Sequence, residues 1–408
     1  MGQKITNFQL MAKPSGSVCN LDCTYCFYLE KEHLYPERKS RWKMDATTLE
    51  NYVRKNIQAQ NNDVVDFLWQ GGEPTLMGLD YFREAVRLQN QYRGFKHINN
   101  YFQTNGTNID DEWACFLKEN NFLVGLSIDG DRISNDAYRL TRSGKSTFDA
   151  VMSGLEALKR RKVEFNTLTV VNAENVKRPL DVYNFLKRIG SRYMQFIPLV
   201  ERAAAEPDSH GLTLIQPDFS GQCRVTDWSV PAKAWGRFMN QIFDHWIQHD
   251  IGEVFVMNFE QTLAKMCGNL SACVINETCG SNLIVEANGD VYSCDHFVYP
   301  ENKLGNLNED DLLTLVNTPQ NIAFGQNKKT GISKDCLNCM VRPVCNGGCP
   351  KHRFELSSDG RPNKNYLCDG FASHLFHVVP KMKTLLSLLN AGTPPGKIRR
   401  EMKRHYYR

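Results

Sequence analysis

Three cysteines near the start of the chain have the residue type and spacing of a metal site. Cys19, Cys23 and Cys26 lie in the stretch SGSVCNLDCTYCFYLEK with the spacing C-x3-C-x2-C, and Tyr25 directly precedes the last of them. Thiolates bind zinc and iron–sulfur clusters, and structural sites of both kinds commonly use four. An open coordination position allows a metal site to bind a small molecule. We therefore expect a substrate-binding metal centre, the alternative being a zinc site with a distant fourth ligand.

Eight more cysteines lie in the second half of the chain, enough for two sites of four thiolates each. They follow the patterns Cys273-x5-Cys279-x14-Cys294 and Cys336-x2-Cys339-x5-Cys345-x3-Cys349, with Cys368 after 18 further residues. Zinc ribbons use two C-x2-C pairs, whereas this half of the chain has one, so the spacing favours iron–sulfur clusters without excluding zinc. Cys115, Cys223 and Cys267 lie outside both patterns. We expect these three to be structural thiols.

The overall composition narrows the class of protein. The 408 residues are 41% hydrophobic and 23% charged, which suits two domains or a barrel with an appendage. The net charge of +4 is too small to indicate a nucleic-acid partner. No stretch approaches the roughly 20 apolar residues that cross a bilayer, and the first residues lack the apolar core of a signal peptide. Because fourteen cysteines without a secretion signal suggest reduced thiols, we expect a cytoplasmic protein with no membrane partner.

Two periodicities alternate in the first half and predict parallel β/α units. Apolar, β-rich runs cover residues 7–13, 64–70, 99–104, 122–128, 164–171 and 193–200. Segments of helical period cover about 45–60, 79–93, 110–120, 147–162 and 174–189. Asp45 is a predicted N-cap, residues 146–149 a predicted capping box, and Pro179 a predicted helix start. Six units are two short of a closed barrel, so we expect an open or partial one.

The predicted strands bring the motifs together, because chemistry in such units lies in loops at the carboxyl ends of strands. The cysteine trio follows the first strand, GGEPT the second, NGT the third and DG the fourth. Residues 201–230 are polar and predict a long loop, and a helix is expected over 231–249. A cysteine-rich domain with a hairpin at Asn288 and Gly289 follows residue 260. The basic C-terminal residues predict a solvated terminal helix or a frayed end.

These motifs resemble a known family. The trio after a first strand, with Gly71-Gly72-Glu73-Pro74 after a second, resembles radical S-adenosylmethionine enzymes. The cysteine-rich half resembles the SPASM extension with its two auxiliary [4Fe–4S] clusters. The similarity is greatest to anaerobic sulfatase-maturating enzymes, over about residues 5–380. It implies an α/β fold with a partial (β/α)6 TIM-type barrel at 1–230, a connecting helix and linker at 231–260, a SPASM domain at 261–380 and a basic tail at 381–408.

The resemblance also implies the cofactors and the residues that hold them. S-adenosylmethionine would bind the open iron of a [4Fe–4S] cluster held by the trio, which makes three [4Fe–4S] clusters in all. Its implied contacts are adenine with Tyr25 and Val200, the methionine amino group with Gly72 and nearby Glu73, and the ribose or carboxylate with Ser127 and Arg139. The implied ligand sets of the auxiliary clusters are interleaved: Cys273, Cys279, Cys294 and Cys349 for the first, and Cys336, Cys339, Cys345 and Cys368 for the second.

The implied reaction is the oxidation of a cysteine or serine in an unfolded sulfatase polypeptide to Cα-formylglycine. A 5′-deoxyadenosyl radical would take a hydrogen from the Cβ atom, and Asp295, directly after Cys294, would accept the thiol or hydroxyl proton. Glu260 and His296 are weaker candidates for this base. We expect a monomer that receives electrons from a donor such as flavodoxin or ferredoxin. The sequence does not decide between cysteine and serine as the target.

Two alternatives remain open at this point. SPASM enzymes also crosslink or epimerise ribosomal peptides, and the motifs do not separate these reactions from formylglycine formation. The second alternative is a non-enzymatic, zinc-stabilised protein that binds peptides.

Overall fold

The computed structural model describes residues 4–35, 40–207, 211–217, 219, 221–269 and 271–406. Its strands are β1 Gln9–Lys13, β2 Val64–Trp69, β3 His97–Thr104, β4 Phe122–Ser127, β5 Phe165–Val171, β6 Tyr193–Pro198, β7 Arg202–Ala204, β8 Cys223–Val225, β9 Phe255–Val256, β10 Asn282–Glu286, β11 Asp290–Tyr292, β12 Lys303–Asn306, β13 Arg353–Leu356 and β14 Pro362–Asn365. Its α-helices are α1 Ala46–Ala59, α2 Leu79–Tyr92, α3 Asp111–Glu119, α4 Arg132–Asp136, α5 Phe148–Arg160, α6 Pro179–Arg188, α7 Ala232–His249, α8 Met257–Met266, α9 Leu312–Val316, α10 Pro319–Thr330, α11 Lys334–Leu337, α12 Arg342–Cys345, α13 Cys368–Asn390 and α14 Pro395–Tyr406.

The six predicted strands form the centre of one sheet. Strands β1 to β6 are neighbours in chain order, and every adjacent pair is parallel. The connecting helices α1, α2, α3, α5 and α6 fall where the sequence predicts helices. The partial (β/α)6 barrel is therefore confirmed, and its loops at the carboxyl ends of the strands lie at one edge, as such units require.

Local signals account for most of the helix starts. Asp45 caps α1 by accepting a hydrogen bond from the amide of Thr48, and Pro179 is the first residue of α6, as predicted. The predicted capping box at residues 146–149 is wrong. The carboxylate of Asp136 accepts from the amides of Thr147 and Phe148 instead, both at 3.2 Å. A side chain more than ten residues away thus satisfies the donors at the start of α5.

The cysteine-rich region joins the barrel sheet. Strand β10 pairs in parallel with β1, and β11 and β12 extend the same sheet with antiparallel pairing. The predicted turn at Asn288 and Gly289 is confirmed, with Gly289 at φ +88° in the left-handed region that favours glycine. Helix α8 crosses the boundary predicted at residue 260. The barrel and the cysteine-rich region therefore share a continuous backbone hydrogen-bond network.

Residues 201–230 differ from the predicted long loop. They contain β7 and β8, which pair antiparallel as a separate two-stranded sheet. Each strand has three residues, too few to show an alternating pattern in the sequence. The predicted helix after this segment is confirmed as α7.

The C-terminal residues form helices that pack against the core, whereas the sequence predicts a terminal helix or frayed end in solvent. Helix α13 crosses the boundary predicted at residue 380 and packs against α7. Helix α14 packs against α7 and α13 and buries Ile398 and Met402, which are 0% and 1% exposed. Its basic residues occupy the rest of the helix surface, so it is an amphipathic part of the core. None of the helices in the described ranges has the length and apolar character that crossing a membrane requires.

Replacing Ile398 by alanine tests this packing. Because Ile398 is fully buried, Ile398→Ala is expected to lower the free energy of unfolding by about 2–5 kcal/mol, measured by denaturant titration with circular dichroism. The exposed neighbour Lys397 provides the control, since Lys397→Ala should change it by less than about 0.5 kcal/mol. Equal stability of the two variants would show that α14 does not contribute to the core.

Candidate active site

The cysteine trio lies in a loop that starts at the carboxyl end of β1. Turn hydrogen bonds join the amide of Val18 to the carbonyl of Ser15 at 3.0 Å and the amide of Cys26 to the carbonyl of Cys23 at 2.9 Å. Burial raises the pKa of Cys19 to about 11 and that of Cys23 to about 12. Thiolates at these positions need a cation beside them, and a metal centre supplies one.

The Gly-Gly-Glu-Pro loop after β2 pairs closely with the cysteine loop. The amide of Gly72 donates to the carbonyl oxygen of Gly16 at 2.7 Å, and the amide of Glu73 donates to the carbonyl oxygen of Val18 at 3.0 Å. A Cβ atom on Gly72 would lie 2.1 Å from the Val18 carbonyl oxygen, so only glycine fits here. Gly72 therefore sets the distance between the two loops, and its contact with a methionine amino group stays a prediction.

Glu73 links three loops through its buried carboxylate. It accepts hydrogen bonds from the amide and hydroxyl of Thr75 at 3.0 and 2.7 Å, from the hydroxyl of Thr104 at 2.8 Å and from the amide of Asn105 at 2.8 Å. Burial raises the pKa of Glu73, and these donors oppose that shift. The side chain of Asn105 in turn donates to Asn20, next to Cys19, at 2.9 Å. Glu73 thereby fixes the ends of β2 and β3 relative to the trio.

Tyr25 lies in a buried polar group under the trio. Its hydroxyl donates to Asp129 at 2.6 Å and accepts from the guanidinium of Arg139 at 2.9 Å. The sequence placed the Asp129-Gly130 pair after the fourth strand but gave Asp129 no role. Burial raises the pKa of Asp129, and the charge of Arg139 opposes this shift. The structure brings the predicted residues Tyr25 and Arg139 together and adds Asp129, so that the Tyr25 hydroxyl links the guanidinium to the carboxylate.

The remaining predicted cofactor contacts lie at the same edge of the sheet. Ser127 is the last residue of β4, and Val200 follows β6 and is 2% exposed. Among the described residues, Ser15 Oγ, Gln70 Oε1 and Arg139 Nε are buried polar atoms without a hydrogen-bond partner. Buried polar atoms are normally paired, so unpaired ones around a loop suit a polar ligand. The residues present thus fit a small, charged cofactor beside the trio.

Asp295, whose side chain is 26% exposed, forms an ion pair with the buried Lys13, for which the sequence carries no local signal. Lys13 ends β1 and is 1% exposed, and its ammonium lies 3.7 Å from the ring centroid of Tyr28, two residues after Cys26. Burial would raise the pKa of Asp295, but Lys13 and, to a smaller extent, His296 hold it below its usual value. Asp295 is therefore an ionised carboxylate that reaches the trio's loop from the cysteine-rich region.

The two weaker candidates for the base have pKa shifts that suit the role less well than that of Asp295. Burial lowers the pKa of His296 to about 3, and its ring nitrogen lies 3.7 Å from the sulfur of Cys349. A histidine this weakly basic does not accept protons well near neutral pH. Burial raises the pKa of Glu260 in α8, so it is less readily ionised. Asp295 is the best candidate for a general base.

Further buried charges surround this pair. Lys351, two residues after Cys349, pairs with Glu201, which directly follows Val200. Lys31 donates to the carbonyl of Val298 at 3.1 Å, and burial together with the charge of Lys351 holds its pKa well below the usual range. The sequence gave no local signal for these residues, because their partners are distant along the chain. They enclose the space between the barrel and the cysteine-rich region.

The later cysteines gather into two quartets. Burial raises the pKa of Cys279 to about 12, and its neighbours Cys349 and Cys273 raise it further. Burial places the pKa of Cys294 well above its usual value, again with contributions from Cys349 and Cys273. These four match the first predicted ligand set. Cys349 therefore lies with the earlier cysteines although its nearest neighbour in sequence is Cys345.

The cysteines of the second quartet also lie near one another, and burial again raises a thiol pKa. Burial raises the pKa of Cys345 to about 12, and Cys368, Cys336 and Cys339 raise it further. These four thiols line one cavity. In the described ranges no three His, Cys, Asp or Glu side chains converge as ligands of a single metal ion would. A four-iron cluster does not require such convergence, because each thiolate binds a different iron.

The three cysteines outside the trio and the quartets share no common partner among the described residues. The sulfur of Cys115 lies 3.1 Å from Glu119, Arg202 lies 3.8 Å from the sulfur of Cys223, and Cys267 is exposed at the end of α8. All fourteen cysteines are free thiols in this structure.

Comparisons with known proteins agree with this geometry. Residues 14–186 match the model of the radical SAM superfamily, and residues 273–340 match that of an iron–sulfur cluster-binding domain, SPASM. Both matches fall within the predicted barrel and SPASM ranges. They favour iron–sulfur clusters over zinc for the cysteine sites.

Full-length relatives identify the family. A serine-type anaerobic sulfatase-maturating enzyme of Bacteroides thetaiotaomicron is 40% identical over 395 residues, 97% of this chain and 95% of the relative. A cysteine-type enzyme of Clostridium novyi is 34% identical, over 92% of this chain and 96% of the relative. A solved structure described as "Native anSMEcpe with bound AdoMet and Cp18Cys peptide" has a TM-score of 0.81 at 31% identity and covers 93% of this chain and 99% of that chain. The chain therefore belongs to the anaerobic sulfatase-maturating enzymes of the radical S-adenosylmethionine superfamily.

Proposed function

We propose that this enzyme oxidises a serine or cysteine of an unfolded sulfatase polypeptide to Cα-formylglycine. The observation that supports the proposal is the ion pair between Lys13, which ends β1 just before the trio's loop, and Asp295, which directly follows the quartet cysteine Cys294. Relatives named as serine-type and as cysteine-type enzymes both align along nearly the whole chain, so both target residues are included.

The cofactors are S-adenosylmethionine and three [4Fe–4S] clusters. When bound, they supply a 5′-deoxyadenosyl radical and one-electron acceptors. We assign the open cluster to Cys19, Cys23 and Cys26, and the auxiliary clusters to the two quartets. The unpaired polar atoms of Ser15, Gln70 and Arg139 support a cofactor site beside the trio.

The contacts with S-adenosylmethionine follow from the positions of the residues. We assign them to Tyr25, Gly72, Glu73, Ser127, Arg139 and Val200. Glu73 would act by holding its loop, since four donors occupy its carboxylate. Arg139 has the free Nε–H donor that a ligand oxygen would accept.

Protein groups complete the oxidation after the Cβ hydrogen has been removed. Asp295 would accept the proton from the target hydroxyl or thiol, and the quartet cysteines would hold the cluster that supplies an acceptor for one electron. The target thus loses two hydrogen nuclei and two electrons, one pair as a hydrogen atom and the other as a proton and an electron. Lys13 keeps Asp295 ionised before this step. A thioaldehyde formed from cysteine then exchanges sulfur for oxygen with water.

The proposal includes the enzyme's partners and setting. The substrate is a polypeptide segment, and a reduced flavodoxin or ferredoxin would deliver the electron that starts each turnover. Fourteen free thiols suit a reducing compartment, so we place the reaction in the cytoplasm and expect a monomer.

Mass spectrometry of a sulfatase peptide tests the reaction. After anaerobic incubation with reductant and S-adenosylmethionine, a serine peptide should lose two hydrogens, and a cysteine peptide should exchange sulfur and two hydrogens for one oxygen. A peptide with alanine at the target is the control. The protein should also carry about twelve irons per chain, four for each of three clusters. Crosslinking or epimerisation without an aldehyde would favour the alternative class of peptide maturases.

Substitution of Asp295 tests its role as the base. Asp295→Asn should reduce aldehyde formation by about 10²–10⁴-fold, because the amide cannot accept the proton. Formation of 5′-deoxyadenosine should continue, because cleavage of S-adenosylmethionine precedes that step. Lys13→Met should also slow aldehyde formation, whereas Glu301→Gln, an exposed change in the next turn, should not. Full aldehyde production by Asp295→Asn would disprove the assignment.

A further inference from the structure

Two cations, the buried Lys328 and the half-buried Arg353, lie among the quartet cysteines with carbonyl groups as their hydrogen-bond partners. Lys328 is 1% exposed, and its ammonium donates to the carbonyl oxygens of Cys273 and, at 3.0 Å, Val274. The guanidinium of Arg353 donates to the carbonyl oxygens of Lys328 at 2.7 Å, Asn346 at 2.9 Å, Gly347 at 3.1 Å and Gly348 at 3.4 Å. Neither cation forms an ion pair with a carboxylate of the described residues.

Such an arrangement needs a source of negative charge. Removing an ammonium or guanidinium from water costs several kcal/mol, and carbonyl dipoles alone do not supply a compensating net charge. Burial lowers the pKa of Lys328, and the groups that oppose this shift, once they are thiolates, are Cys279, Cys273 and Cys349. Those that act on Arg353 belong to both quartets, namely Cys336, Cys349, Cys279 and Cys345.

We propose that Lys328 and Arg353 are the internal counter-cations of the auxiliary clusters and raise their reduction potentials. Lys328 serves the quartet that contains Cys294, next to Asp295. Arg353 lies between the quartets and serves both. The inference rests on the cysteine assignment in the proposed function, but not on the identity of the peptide substrate.

The direction of the effect follows from electrostatics. A cluster gains one negative charge when it is reduced, so a nearby cation stabilises the reduced form more than the oxidised form. The effect is large in a buried site, where water does not screen the charge. Lys328 thus makes the cluster nearest Asp295 a better acceptor for the electron that leaves the substrate. Lys328 acts on the cluster through its charge and does not touch the reacting atoms.

The next residue provides a matched control. Lys329 has the same side chain and adjoins Lys328 in α10, but its side chain is 50% exposed and pairs with Glu277 at 3.0 Å. A charge in this position is screened by solvent and already compensated. Lys329 should therefore have no effect on the clusters.

The experiment is an anaerobic redox titration of the holoenzyme, followed by electron paramagnetic resonance, with iron content measured for every variant. In Lys328→Met, the ratio of reduced to oxidised form of one auxiliary cluster at a fixed potential should fall at least tenfold, a shift of about 59 mV for one electron. The trio's cluster and the Lys329→Met variant should keep the wild-type potentials. Unchanged potentials in Lys328→Met with full iron content would overturn the proposal.

A second substitution separates charge from hydrogen bonding. Lys328→Gln retains a donor for the carbonyls of Cys273 and Val274 but removes the charge, so it should lower the potential as Lys328→Met does. A wild-type potential in Lys328→Gln would show that hydrogen bonds matter and charge does not, which overturns the proposal. Loss of iron from both variants would also overturn it, since Lys328 would then be purely structural. Failure of the wild-type enzyme to form an aldehyde would reject the proposed function without changing these potentials.

Discussion

The parallel pairing of β1 with β10 is the contact on which the site depends. Five residue pairs from Gln9 and Asn282 to Lys13 and Glu286 align the two strands, so the barrel and the cysteine-rich region end at the same edge. Asp295 follows β11 in this extension, and the trio follows β1. A slip of one residue would turn Lys13 to the opposite face of the sheet and separate it from Asp295. The register of one strand pair therefore fixes the distance between Asp295 and the loop of the cysteine trio.

This pairing also explains why so many charged side chains are buried here. The loops of two regions meet over the sheet edge and exclude water from Lys13, Glu201 and Glu286, which are 1%, 4% and 1% exposed. Buried charges are tolerated where opposite charges or donors meet them, as Asp295 meets Lys13 and Lys351 meets Glu201. A low dielectric strengthens such pairs and keeps protonation states fixed. The substrate would therefore meet preset charges at this interface.

Local sequence patterns predicted most of the fold but only part of the site. The alternation of apolar runs gave all six barrel strands, and Asp45 and Pro179 marked helix starts, because these signals depend on neighbours along the chain. The β7 and β8 pair, the capping of α5 by Asp136 and the packing of α14 were missed. Three-residue strands carry no periodic signal, and the other two depend on tertiary contacts.

The site also contains residues whose contacts leave no local signal in the sequence. The cysteine groups are recognisable from spacing, and the resemblance supplied the interleaved quartets and the role of Asp295, which spacing alone left open. Lys13 and Asp129 were missed, because their partners Asp295 and Tyr25 lie 282 and 104 residues away in the chain. Only the folded sheet edge brings them together.

The charged side chains near the trio differ from those near the quartets. Near the trio, the buried carboxylates of Glu73 and Asp129 are held by donors, and Arg139 keeps an unpaired N–H directed at the cofactor region. Near the quartets, Lys328 and Arg353 bring positive charge without a carboxylate partner. Negative surroundings disfavour adding an electron, and positive surroundings favour it. With the proposed clusters bound, this difference in charge would favour electron donation from the trio's cluster and electron acceptance by the clusters of the quartets.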